Sequence, residues 1–313
     1  MNKRIKTKFA FTLIELLVVI AIIGILSALI IVGIGSTTQK ATIAKAQVFS
    51  NSLRNSLMEN LVSEWRLDNG SGTTATDSWS GGNNGTLTGF ADTTAGYGDN
   101  HTSGWMSSPN CISGTCLKFD GTDDYIEMAS SVNLNSIQLG FTYSGWVKFN
   151  QITRSTDGFN WQAFFTKNTY GNWFGLMLYN VNKTLRFYHV GLNPIQTDYS
   201  WSDVQPGQWY FVNVVYNGSF TKHYINGVSK TNTVVTGTPT TNLSALWIGK
   251  STSGPYIFDG LIDDVRIFNA AIPTSQIEQM YFVGLNKLFA KKLIKNTEYS
   301  DRLADLSIDS AKN

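Results

Sequence analysis

Few side chains in this sequence carry chemistry of their own, and Glu15 is the first of them. It stands four residues into a nearly unbroken apolar run from Phe11 to about Gly35. A carboxylate there is costly in lipid and calls for a partner, so it reads as functional. The loop 77–85 and the pair Asp263-Asp264 are rich in hard oxygen donors. Calcium takes about six to eight such donors from carboxylates, amides and backbone carbonyls. Trp79, Trp105, Trp161, Trp173 and Trp201 fall near loops, where aromatic faces suit sugars; the competing reading is packing beneath those loops. Trp146, Trp209 and Trp247 fall inside apolar runs and read as core. Cys111 and Cys116 are the only cysteines. Outside the cytoplasm so close a pair reads as a disulfide. A loop this short removes little chain entropy, so the bond is expected to pin a hairpin tip.

Signals for catalysis are thin. The sequence has no Gly-x-Ser-x-Gly elbow, no His-Glu-x-x-His and no phosphate-binding glycine loop. His101, His189 and His223 stand apart among Ser, Thr and Tyr. The expectation is therefore a protein that is not an enzyme, although a carboxylate pair is defined in space and escapes a sequence reading. Charge points away from nucleic acid as well. Four of the 24 basic residues, Lys3, Arg4, Lys6 and Lys8, lie in the first ten positions, leaving 20 against 22 acidic ones.

The elements that must position these residues follow from periodicity. The apolar run exceeds the ~20 residues that span a bilayer as a helix and is too long for a plain signal peptide. The basic leader holds the N-terminus in the cytoplasm and turns the rest outward. Val48, Phe49, Leu53, Leu57, Leu61 and Val62 recur at three- and four-residue steps, which extends the helix to about Glu64. From Trp65 the texture changes to short apolar runs between Gly, Asn, Ser and Thr clusters. Expected strands are 117–120, 125–128, 142–149, 163–167, 174–179, 185–190, 209–216, 222–225, 246–249 and 260–268. Asn217-Gly218 and Asn226-Gly227 read as hairpin turns. So many short strands without helices between them argue for a two-sheet antiparallel β-sandwich. After Pro273 the pattern is helical again, with Thr274 as cap and a second short helix over 297–306. This tail reads equally as a docking hairpin or as a mobile segment.

Two stretches resemble known families. Lys8-Phe9-Ala10-Phe11-Thr12-Leu13-Ile14-Glu15-Leu16 resembles the signal of type IV prepilins and type II secretion pseudopilins. The resemblance implies cleavage between Ala10 and Phe11 by a prepilin peptidase, methylation of Phe11, and a pairing of Glu15 with a neighbouring subunit's N-terminal amine during assembly. Ala10 replaces the family's usual Gly. It also implies a single-pass precursor in the cytoplasmic membrane that then joins an extracellular filament.

The second resemblance is to laminin-G-like, concanavalin A-like jelly rolls. It rests on Trp65-Arg66-Leu67-Asp68, Asp77-Ser78-Trp79, Leu117-Lys118-Phe119-Asp120-Gly121, Ser144-Gly145-Trp146-Val147, Gly207-Gln208-Trp209-Tyr210, Tyr224-Ile225-Asn226-Gly227 and Gly260-Leu261-Ile262-Asp263-Asp264. In that family a calcium ion often ties an N-terminal loop to the last strand, which here implies Asp77, Asn84 and Asp263 or Asp264. Gly81 stands where the family's loop often carries Asn. The alternative has Asp77 starting an Asx turn and Asp264 pairing with Arg266.

The expected organisation is a leader (1–10), a pilin-type helix (11–64), a laminin-G-like sandwich able to fold alone (65–273) and a helical tail (274–313). The expected function is a prepilin-like subunit, minor in its filament, displaying an adhesive or ligand-binding head. A surface-anchored carbohydrate-binding or glycan-active protein is the second reading.

Overall fold

The computed structural model describes residues 60–79, 82–91, 103–135, 140–152, 161–169, 172–240, 242–251, 254 and 256–310. The leader, Ala10, Phe11, Glu15 and the helical stripe as far as Leu57 lie outside the described residues. The chain divides into units 1–48 and 49–313, and the described residues all belong to the second.

The described chain opens with β1 (Leu61–Trp65), β2 (Thr74–Ala75), β3 (Gly85–Thr88), β4 (Gly104–Met106), β5 (Cys116–Asp120) and β6 (Tyr125–Met128). A one-turn helix, α1 (Val132–Asn135), leads to β7 (Phe141–Phe149), β8 (Trp161–Thr169), β9 (Asn172–Tyr179) and β10 (Thr184–His189). Next come β11 (Leu192–Asn193), β12 (Gln196–Ser200), β13 (Trp209–Tyr216), β14 (Phe220–Ile225) and β15 (Val228–Ser229). The last strands are β16 (Thr233–Val234), β17 (Thr236–Gly237), β18 (Leu246–Ile248) and β19 (Asp259–Phe268). Helices α2 (Thr274–Ala290) and α3 (Asn296–Ser310) close the chain.

Two antiparallel sheets face each other, as the sequence leads one to expect. One has nine strands, in the order β15-β14-β13-β7-β19-β5-β4, with β1 also on β19 and β16 also on β14. The other has eight, in the order β12-β10-β9-β8-β18-β6-β3-β2. All ten expected strands are present. Between the sheets lie Phe141, Tyr143, Phe149, Phe164, Phe165, Phe174, Leu176 and Phe187, with Tyr143 stacked on Phe165 at 4.1 Å.

Three expectations are corrected here. The helix does not reach Glu64, because Leu61–Trp65 is a strand with Glu64 opposite Arg266 and Trp65 opposite Val265. A run this short fits either period, and a partner two hundred residues away decides it. Of the two Asn-Gly pairs, Asn226 (φ 54) and Gly227 (φ 80) form a tight turn between β14 and β15. Asn217 instead ties a three-residue loop, its Oδ1 accepting the N–H groups of Ser219 and Phe220. Thr274 is not the cap: Pro273 holds that position, and the Thr274 hydroxyl meets the Tyr224 phenol at 2.9 Å.

The C-terminal helices are a layer of the head. Ile277, Tyr281, Leu285 and Leu288 of α2 and Leu306 of α3 are buried in a second core. It is formed on the outer face of the nine-stranded sheet by Trp146, Trp209, Phe211, Val215 and Tyr224. Tyr281 stacks on Trp146 at 5.7 Å. Gly284 lies so close to the Trp146 indole that an added methyl group would overlap the ring. Arg302 of α3 donates to the Trp209 carbonyl at 3.0 Å.

Candidate ligand-binding face

The helices cover one sheet; the eight-stranded sheet turns an aromatic face outward. Side chains alternate along a strand. On β9, Phe174, Leu176 and Leu178 enter the core, so Trp173, Gly175, Met177 and Tyr179 turn out. On β10, Leu185 and Phe187 enter the core, so Arg186 and Tyr188 turn out. The bulge between Ala163 and Phe165 in β8 sends both Phe164 and Phe165 inward and leaves Trp161 and Ala163 outside.

Register then gathers these residues. Trp161 faces Tyr179, and Ala163 faces Met177. Arg186 faces Met177, and Tyr188 faces Gly175. Ring centroids of Trp161 and Tyr179 are 4.4 Å apart. Tyr256, from the loop between β18 and β19, lies 6.0 Å from Trp161 and 6.1 Å from Trp173. Trp173 continues to Tyr188 at 5.6 Å. The five half-buried rings stand around a floor of Ala163 (0% exposed) and Met177 (2%).

One side of this group is polar. The Arg186 guanidinium sits 5.1 Å from the Trp161 ring centre. Its Nε and Nη2 donate to Asp198 Oδ1 and Oδ2 at 2.8 and 2.7 Å. This two-pronged bond raises the Arg186 pKa against the effect of burial. The pair cancels its own charge and leaves hydrogen-bonding groups beside flat apolar rings. Such a face suits a neutral ligand with hydroxyl groups and apolar C–H surfaces.

Only two of the five expected tryptophans, Trp161 and Trp173, come together here. Trp105 is buried, with its indole N–H on the Gly72 carbonyl. Trp201 is buried edge-on against Phe149 and Tyr210. Trp79 packs on the second core. These three support packing beneath loops. Trp247, expected in the core, is half-exposed, because Leu246 and Ile248 take the inward places. Tyr179 and Tyr188 were legible from strand alternation with Trp173 and Phe187 as guides. Tyr256 was not, since a loop residue has no periodicity to reveal it.

The oxygen donors sit elsewhere and are divided. Asp77 Oδ1 accepts the N–H groups of Glu64 and Trp79, and Oδ2 accepts that of Asn83. Asn84 Oδ1 accepts the Asp77 N–H at 2.9 Å. The bond from Trp79 is the Asx turn. Asp77 bridges to Trp65 on β1, and β1 in turn pairs with β19. The Asp77 backbone is thus two strand spacings from β19, about 9–10 Å. Asp263 and Asp264 occupy the bulge of β19 between Asp263 and Arg266. Asp263 Oδ2 accepts the N–H groups of Ile112 and Ser113 at 2.8 and 3.2 Å. Asp264 pairs with Arg266 at 3.4 Å. Among the described residues, Asp77, Asp263 and Asp264 are not a group whose carboxylate oxygens all lie within 4.8 Å of one another, so as placed they do not form the coordination sphere that the resemblance implies.

Charge at this junction is tightly arranged. Burial alone would push the Glu64 carboxyl up, but Arg266 and Arg66, with the Ser78 hydroxyl donating, lower it to about 2. Burial, then the neighbouring Asp264 charge, raise Asp263 well above the carboxylate range. Cys111 and Cys116 form the expected disulfide, but both are fully buried. Their loop is stitched to the body by Asp263, by Lys291 on the Cys111 carbonyl and by Trp209 on the Asn110 carbonyl. It pins three elements together, more than the hairpin tip expected of it.

The family model of the concanavalin A-like lectin/glucanases superfamily matches residues 120–278, just over half of the chain. The chain belongs to this superfamily. The prokaryotic N-terminal methylation motif matches residues 5–35, as in a prepilin peptidase substrate that assembles with other pilin subunits. No curated protein matches the chain. Among solved structures, the concanavalin A-like head is similar to domain 4 of AbnA, a GH43 extracellular arabinanase from Geobacillus stearothermophilus, in complex with arabinotriose. That match has 22% identity and a TM-score of 0.53 over 71% of this chain and 98% of the other. It is also similar to a mutant of HCR/D, at 17% identity and a TM-score of 0.50 over 72% of this chain and 53% of the other. Likeness at these identities concerns the fold alone. Among the described residues no helix is long and apolar enough to cross a membrane; the apolar run lies outside them.

Proposed function

We propose that this chain is a prepilin-type filament subunit whose concanavalin A-like head binds a neutral carbohydrate chain on the aromatic face of its eight-stranded sheet. The observation that carries the reading is the contiguous group Tyr179, Trp161, Tyr256, Trp173 and Tyr188 around a closed floor, with Arg186 and Asp198 alongside. Large aromatic residues clustered on an open face are unusual unless something covers them. The bound arabinotriose of the AbnA domain is consistent with a sugar as that cover.

The glycan-active alternative is disfavoured by spacing. On the described strands of this face the outward carboxylates are Glu127 of β6 and Asp198 of β12. Five strand steps separate them, about 24 Å. Glycosidase pairs stand about 5–9.5 Å apart. The described strands of this face thus bring no such pair together, and we read the head as a binding module. Its size favours a minor, adhesive subunit.

Binding is tested by retention of the full chain on immobilised arabinan, xylan and β-glucan. Trp161→Ala with Trp173→Ala is expected to weaken retention about tenfold or more on whichever polymer binds. The melting temperature should change little, because both rings stand outside the core. Wild-type retention on none of these and other neutral glycans, or an undiminished double variant, would overturn the reading. Filament membership is tested separately. Mass spectrometry of sheared filaments should find an N-terminus at methylated Phe11, and Ala10→Leu should abolish processing. An intact Met1 terminus in the envelope would refute the prepilin assignment.

A further inference from the structure

At the junction where the superfamily resemblance places calcium, two of the acids, Glu64 and Asp264, already have cations supplied by the chain itself. Glu64 is 2% exposed and Asp264 is 5% exposed. Glu64 is held by Arg266 and Arg66, each at 2.9 Å. Asp264 receives Arg266 at 3.4 Å on one oxygen and Lys287 of α2 at 3.8 Å on the other. Lys291, one turn further along α2, donates to the Cys111 carbonyl at 2.9 Å. The same disulfide loop binds Asp263 through the N–H groups of Ile112 and Ser113 and binds Asp68 through that of Thr115. Burying a carboxylate is tolerable only with compensating charge or hydrogen bonds. Here that compensation comes from three cationic side chains, Arg66, Arg266 and Lys287, and three backbone N–H groups. A dication brought into the same place would meet the repulsion of all three.

We propose that Lys287 is a built-in counter-cation of Asp264 in the β19 bulge, and that Lys291 fastens the disulfide loop that binds Asp263. In this chain the C-terminal helix α2 does the work that a bound metal ion would otherwise do. It ties the disulfide loop to the last sandwich strand β19, which in turn holds the N-terminal strand β1 through Arg266 and Glu64. The consequence is a head whose stability is independent of divalent ions and dependent on the C-terminal helix.

The test uses the full chain in detergent, with unfolding of the head followed by tryptophan fluorescence. Wild-type melting temperature should be the same in excess chelator and in millimolar calcium chloride. Lys287→Met with Lys291→Met should melt lower in both, by about 2–4 °C per lysine if each contributes near 1 kcal/mol. Adding Asp264→Asn to Lys287→Met should recover part of that loss, which a packing role for the lysine stem would not predict. Calcium that stabilises the double lysine variant but not the wild type would also support the proposal, as an ion entering the vacated place. A chelator-induced fall in the wild-type melting temperature, reversed by calcium, would overturn it. So would a double variant, or Lys287→Met alone, that melts like wild type.

Discussion

A chain ending at Pro273 is expected to lose its native head. Ile277, Tyr281, Leu285, Leu288 and Leu306 would be gone, and all five are buried. Full burial of such a side chain is worth about 1.5–3 kcal/mol. Together they approach the entire net stability of a typical domain, about 5–15 kcal/mol. Truncation would also bare Trp146, Phe211, Val215 and Tyr224 on the outer face of the nine-stranded sheet, an apolar patch that invites aggregation. The sequence alone leads one to expect that 65–273 folds by itself; the second core leads to the opposite expectation. Limited proteolysis and near-ultraviolet circular dichroism of the chain ending at Pro273 decide the matter. A protease-resistant product with a native near-ultraviolet spectrum would show that the sandwich stands without its helices.

Asp124→Asn is expected to stabilise the head at neutral and alkaline pH and to flatten its pH dependence. Asp124 is fully buried. Its Oδ2 accepts the Asp120 N–H at 2.8 Å, and its Oδ1 accepts the Ser103 hydroxyl at 3.3 Å. Burial, followed by the charge of Asp120, outweighs those bonds and lifts the carboxyl from 3.8 to about 7. An acid raised in the folded state binds its proton more tightly there than in the unfolded chain. Its contribution is fully present below about pH 3.8 and is lost as pH rises through about 7. Three pH units correspond to about 4 kcal/mol. Asparagine keeps an acceptor for the Asp120 N–H and never ionises. The variant should melt close to wild type at pH 4 and roughly 5–15 °C higher at pH 8. Glu64 runs the other way: lowered to about 2, it stabilises above about pH 4.5 and loses that contribution as pH falls through 2. Wild-type and variant melting curves that stay parallel from pH 4 to 8 would show that Asp124 ionises without cost.

Features encoded in local patterns are legible without the fold. The match of Lys8-Phe9-Ala10-Phe11 through Glu15 marks the N-terminal motif without any structure. The ten strand segments were legible because each carries its own apolar run between turn residues. Tyr125–Met128 and Trp209–Tyr216 came out with the bounds they have in the fold. The cysteine pair was legible because it is alone and close.

Only the tertiary structure decided the rest, and in each case the cause is a partner far away in sequence. Leu61–Trp65 is a strand because β19 offers it an edge. The C-terminal helices dock because Trp146, Phe211 and Val215 stand on alternate, outward positions of β7 and β13. The aromatic face exists because register sets Trp161 beside Tyr179 and a loop brings Tyr256 between two tryptophans. Asp77 stands across β1 from β19, and no spacing along a chain shows which strand lies between two others.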